Sequence, residues 1–195
     1  MDSYIEIYPE NIDKILFFFF SYKTFDSPAF VKARKDKYRL RNGKIMQIGA
    51  LEESEEKEHL LKKRGHNYLV NGKEYIYETN LFGKLLLLAL TKFTSLDPYG
   101  MGLEMEANKP GWNDALNGLA GMMGSGMSET FELKRLLSFL RNSLINTKVL
   151  DITLFQELSI LTEKLEELLG DYFEDKNQFN YWDKVSNIKE NYRKS

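Results

Sequence analysis

The sequence predicts a mainly α-helical protein with two small β-hairpins inserted, and three observations predict it. Leu154, Leu158, Leu161, Leu165 and Leu168 recur at helical spacing late in the chain. "NLFGKLLLLALTKFTS" (residues 80–95) is apolar nearly all round, the mark of a core helix. Two Asn-Gly dipeptides, Asn42-Gly43 and Asn71-Gly72, each stand between short runs, as tight hairpin turns require.

A chain of 195 residues suits one domain with a sizeable core. A net charge of −2 supplies no general attraction to nucleic acid or anionic membranes. With no cysteine, disulfides and thiolate metal sites are excluded, and two histidines make a histidine metal site improbable. The runs "ILFFFF" (Ile15 to Phe20) and "LLLLAL" (Leu85 to Leu90) fall far short of the roughly 20 residues that span a bilayer. The acidic start "MDSYIEIYPE" lacks the pattern of a signal peptide, so the expectation is a cytoplasmic, soluble protein without membrane partners.

Taken in order, residues 9–22 read as a helix with Pro9 near its start, where a missing N–H costs little. Its four consecutive phenylalanines cannot share one narrow stripe, which predicts burial on more than one side. Residues 31–79 read as a hairpin-containing insertion, with one hairpin over 38–48 and another from Tyr68 to Tyr77. Between them "LEESEEKEHLLKKRG" suits a solvated helix, its acids early and its bases late to complement the helix dipole. The core helix 80–95 follows. Residues 97–127 form a long connection, and connections of that length inside a compact domain tend to be functional. Ser128 and Asp151 are the expected N-caps of the next two helices, and "NQFNYWDKVSNIKENYRKS" suits a last amphipathic helix. No internal repeat or low-complexity segment is present.

The chemistry concentrates in the connection. Glu104, Glu106 and Asp114 lie close in sequence, and Glu104 and Glu106 would share one side of an extended strand. Pro110-Gly111 turns the chain before Trp112. An aromatic face beside carboxylates suits sugar recognition, the ring covering C–H faces while the acids take hydroxyls. A carboxyl against an indole is partly desolvated, which raises its pKa and fits it to act as a general acid. Asp114 is the candidate. The alternative is that Asp114 caps a short helix "ALNGLAGMM", that Trp112 is core, and that the glycines only turn the loop.

"GWNDALNG" followed by "GSGMSETFEL" resembles the active-site segment of the inverting disaccharide phosphorylases, the cellobiose and chitobiose phosphorylase family, with its "GDWNDGMN" motif. It is similar also to segments of inverting α-glycosidases and trehalases of the same toroidal fold. Trp112, Asn113, Asp114 and Asn117 match the motif position by position. The resemblance implies part of an α/α toroid of six helical hairpins, with Asp114 as the general acid on the glycosidic oxygen. It implies Trp112, Asn113, Asn117, Glu104 and Glu106 as substrate-binding residues for a disaccharide or oligosaccharide. No cofactor or metal is implied, only inorganic phosphate as co-substrate. Gly111 stands where the family has an aspartate, so Glu104 or Glu106 would have to replace it, and no histidine follows the motif. A glycoside hydrolase of this fold would also need a basic carboxylate about 6.5–9.5 Å from the acid. Twelve helices exceed what this chain offers by roughly twofold, which predicts an internal portion of a barrel. A complementary subunit or the rest of a larger chain would complete it.

Two other readings come from the residues. "KARKDKYRLRNGK" (Lys32 to Lys44) gathers bases around Tyr38 in a form that can track phosphates, although the overall charge disfavours nucleic acid. The leucine stripe after Asp151 and the "YWDKVSNIKENYRK" tail suit either ordinary packing or a helical scaffold, and an exposed apolar face would separate the two.

Overall fold

The computed structural model describes residues 2–47, 49–104 and 125–194, and every structural statement concerns these. Chain order is α1 (Asp2–Ile7), a 3-10 turn (Pro9–Asn11), a π-helical turn (Lys14–Phe18), β1 (Tyr22–Lys23), β2 (Ala29–Val31), α2 (Arg34–Lys37), β3 (Tyr38–Arg41) and β4 (Lys44–Gln47). There follow β5 (Leu51–Glu53), α3 (Glu55–Arg64), β6 (Glu78–Thr79), α4 (Leu81–Phe93), β7 (Leu103–Glu104) and β8 (Ser125–Gly126). The remainder is helical: α5 (Met127–Asn146), α6 (Gln156–Asp175) and α7 (Gln178–Tyr192). The protein is mainly helical with small antiparallel strand pairs. No helix among the described residues is long and apolar enough to cross a membrane.

α4 is the hub because its apolar residues surround the helix. On one side Phe82 and Ala89 join Leu16, Phe17, Leu103, Leu133 and Leu140 in a core formed with α5 and the π turn. On the other, Leu87 and Leu90 pack on Leu158, Leu161, Leu165, Leu168, Tyr181 and Val185 of the α6–α7 pair, and Leu86 and Phe93 touch both cores. α4 starts at Asn80, a wholly buried cap whose side chain accepts from the Gly83 N–H at 2.7 Å and donates to the Thr153 carbonyl at 3.0 Å. A Cβ on Gly83 would stand 3.0 Å from Thr79 Oγ1 and 3.1 Å from Asn80 Oδ1, so this tight turn uses glycine for space.

The strand pairs nest. β1 pairs with β6, β2 with β5 inside it, and β3 with β4 innermost, all antiparallel. The innermost pair is the expected Asn42-Gly43 hairpin, with φ of 51° and 73° at the two turn residues. The Asn71-Gly72 hairpin also forms, through the Val70–Ile76 bridge, but its turn is longer than expected. The Asn71 side chain accepts from the Lys73 and Tyr75 N–H groups, and positive φ falls at Glu74. An Asx turn has replaced the two-residue turn.

Other expectations are corrected. The helix expected over 9–22 ends at Phe18, with Phe19 extended. Phe17 is buried, whereas Phe18, Phe19 and Phe20 are 61%, 46% and 46% exposed. Leu16 and Phe17 face the α4 core, and the helical turn ends at Phe18, so the three phenylalanines that follow Phe17 turn to solvent. Leu88 likewise stands 48% exposed on α4. Ser128 does not cap α5, which begins at Met127 with Gly126 in the cap position. Asp151 does not cap α6, which begins at Gln156 with Phe155 in the cap position; Ile152 and Leu154, ahead of the helix, pack on the α4 core. α3 follows expectation, with Ser54 as N-cap, Gly65 left-handed at its end and Leu61 alone buried.

Candidate functional site

β7 and β8 hold residues 104 and 125 opposite each other, Glu104 against Ser125 and Leu103 against Gly126. This two-residue ladder is a base at which the residues flanking segment 105–124 meet. Of the residues singled out from sequence, Glu104 lies here. Glu106, Trp112, Asn113, Asp114 and Asn117 lie outside the described residues.

The base is polar and buried. Glu104 Oε1 accepts from Gln47 Nε2 at 2.8 Å, and Oε2 lies 3.7 Å from Lys37 Nζ. The Lys37 side chain is 3% exposed and that of Glu104 15%. Taking both charges from water is costly, and their pairing with an added amide hydrogen bond offsets it. The Glu104 N–H donates to the Ser95 carbonyl at 2.8 Å, and Lys189 Nζ on α7 reaches Ser95 Oγ at 3.4 Å.

Asp97 fastens the other strand. Its Oδ2 accepts from Ser125 Oγ at 2.6 Å and from the Gly102 N–H at 2.8 Å, while Oδ1 accepts from the N–H groups of Tyr99 and Met101. Burial pushes the Asp97 carboxyl up, but the Ser125 hydroxyl and three backbone N–H groups outweigh it and hold it below its ordinary value. A carboxylate is therefore the stable species, and it ties the turn before β7 to β8. Thr130 adds a tie, donating to the Gly126 carbonyl and accepting from the Leu103 N–H.

α2 carries Lys37 into this base and is itself anchored on α7. Arg34 donates from its backbone N–H and Nε to Glu190, from Nη1 to Asp183 at 2.6 Å, and from Nη2 to Asn187 at 2.6 Å. Its guanidinium lies 5.2 Å from the Trp182 ring. Residues 183, 187 and 190 share one helix face by their spacing, so a single guanidinium can meet all three.

The basic run Lys32 to Lys44 is thereby divided. Lys32 pairs with Glu52, Arg34 with Asp183 and Glu190, and Lys37 with Glu104, leaving Lys35, Arg39, Arg41 and Lys44 exposed. Sequence reasoning missed Lys37, Gln47, Asp97 and Ser125. The Asp97-Pro98-Tyr99-Gly100 turn signal could have found Asp97. Nothing local marks Lys37 as buried among bases of the same kind. Among the described residues, no three His, Asp or Glu side chains converge as a metal site requires.

The sequence matches no protein-family model and no curated protein.

Proposed function

We propose that the protein is carbohydrate-active, of the inverting disaccharide phosphorylase kind, and that its helices form part of an α/α toroid. The observation that carries the reading is the "GWNDALNG" motif, in a segment whose flanking residues Glu104 and Ser125 are paired. Asp114 is the general acid that protonates the departing glycosidic oxygen, and phosphate attacks the anomeric carbon from the opposite face. Trp112 covers a sugar C–H face, and Asn113, Asn117 and Glu106 take hydroxyls. Glu104, both of whose oxygens are engaged by Gln47 and Lys37, serves best as a structural residue at the start of this segment rather than as a ligand for hydroxyls. With phosphate as the nucleophile no second carboxylate has to activate water, and a hydrolase of the same fold would need one.

Phosphate-dependent release of sugar 1-phosphate from β-linked disaccharides tests the reading. Asp114→Asn is expected to lower it by roughly 10²–10⁴-fold, the range of general acid catalysis. Release that needs no phosphate would move the assignment to a hydrolase. Release equal in both forms would sink the role of Asp114.

A second reading, a helical interaction protein, has its own support. Leu85 and Leu88 of α4 with Leu133, Leu136 and Phe139 of α5 line an open apolar groove of about 520 Å³. Its rim charges are already paired, Lys92 with Glu129 and Arg135 with Glu132. A Leu88→Glu variant that abolishes association with a helical partner while sparing sugar 1-phosphate release would assign this face to assembly.

A further inference from the structure

α7 begins beside the turn that leads into β7. A Cβ placed on Gly100 would lie 3.7 Å from Gln178 Nε2, and Gln178 Oε1 accepts from the Tyr172 hydroxyl at 2.8 Å. The next turn of α7 carries an aromatic pair, Phe179 and Trp182, with ring centroids 5.5 Å apart and planes tilted by 38°. Phe179 is 66% exposed, Trp182 is half-buried, and Tyr99 on the neighbouring turn is 79% exposed. Large aromatic surface in water is unfavourable, and the core of α7 lies elsewhere, on Tyr181 and Val185.

The pair is held in place. Arg34 is fixed by Asp183, Asn187 and Glu190, and its guanidinium stacks near Trp182. The clamp uses Oδ1 of Asp183 and Oδ1 of Asn187, so a carboxylate oxygen and an amide NH₂ remain on exposed side chains beside the rings. Arg34 is neutralised by Asp183 and Glu190, so the clamp itself offers no net positive charge to a phosphate group. A neutral ligand with apolar C–H faces and hydroxyls fits this surface.

We infer that Phe179 and Trp182, with Asp183 and Asn187, form a second carbohydrate-binding surface that takes distal sugar units of an oligosaccharide. The inference rests on the proposed carbohydrate activity, since the surface adjoins the turn leading to the base of segment 105–124. The rings cover pyranose faces, Asp183 accepts from a hydroxyl, and the Asn187 amide donates to one. Arg34 is a positioning residue that keeps the indole from turning.

The two tryptophans report separately. Fluorine NMR on protein labelled with 5-fluorotryptophan has one resonance for Trp182 and one for Trp112, assigned with Trp112→Phe. Titration with β-linked oligosaccharides from disaccharide to hexasaccharide is expected to move the Trp182 resonance saturably with the longer sugars. Phe179→Ala and Asn187→Ala, both at exposed positions, are expected to weaken that response by about tenfold or more. Movement at Trp182 with none at Trp112 would uphold this surface and remove the proposed catalytic segment. Movement at Trp112 with a stationary Trp182 would overturn the surface and keep the segment, and two stationary resonances would overturn both.

Discussion

Lys37 Nζ and Glu104 Oε2 stand 3.7 Å apart at the β7–β8 pair, both side chains largely withdrawn from solvent. Removing one partner leaves the other charge buried and uncompensated. Lys37→Met is expected to cost about 3–5 kcal/mol in denaturant unfolding. Lys37→Met with Glu104→Gln is expected to recover much of that loss. Equal and additive losses would show that the charges are not coupled.

Asp97 makes the pinned base sensitive to acid. Its folded pKa lies below the ordinary value of 3.8. The contribution is complete above the unfolded value and is lost as pH falls through the folded one beneath it. The unfolding free energy of the wild type is therefore expected to fall in that window. Asp97→Asn is expected to be less stable at neutral pH and to show a flatter acid limb. Parallel pH profiles for the two proteins would remove Asp97 from this role.

The start of α4 depends on Asn80. Asn80→Ala removes the cap on Gly83 and the donor to the Thr153 carbonyl, and is expected to cost at least about 1–2 kcal/mol. Asn80→Asp keeps the cap but sets a buried carboxylate oxygen against the Thr153 carbonyl, acceptor against acceptor, so it should also melt below the wild type. Thermal melts of the three proteins would check the order.

Tyr181 has the opposite sign. Its buried hydroxyl has no hydrogen-bond partner among the described residues, and burial with the neighbouring Tyr172 pushes it up to about 12. Tyr181→Phe removes a buried polar atom and keeps the ring against Tyr172, 4.9 Å away. A gain of roughly 1 kcal/mol is expected, and a loss of that size would mean the hydroxyl is satisfied after all.

What was legible in the sequence was local. The Asn42-Gly43 turn needs only two residues with positive φ, and α3 carries its own signals in Ser54, its graded charges and Gly65. The leucine stripe of α6 buries Leu158, Leu161, Leu165 and Leu168 as its spacing implies. The outer strand pairs were not legible. β1–β6, β2–β5 and β7–β8 are two or three residues long, too short for alternation to register, and their partners are distant in the chain. The caps at Ser128 and Asp151 were misplaced because tertiary contacts chose where those helices begin. Glu104 could be singled out as a carboxylate near the motif, but its partners Lys37 and Gln47 come from α2 and β4, far from it in the chain, and only the folded arrangement brings them together.

The most direct test of the central claim reads the Trp112 fluorine resonance while a β-linked disaccharide is added, with and without phosphate. A saturable shift, kept in Asp114→Asn and lost on substitution of Asn113, is the expected result, since the acid acts on the bond while the amide holds the sugar. A Trp112 resonance that stays in place across the disaccharide panel, in protein shown by its melt to be folded, would contradict the account.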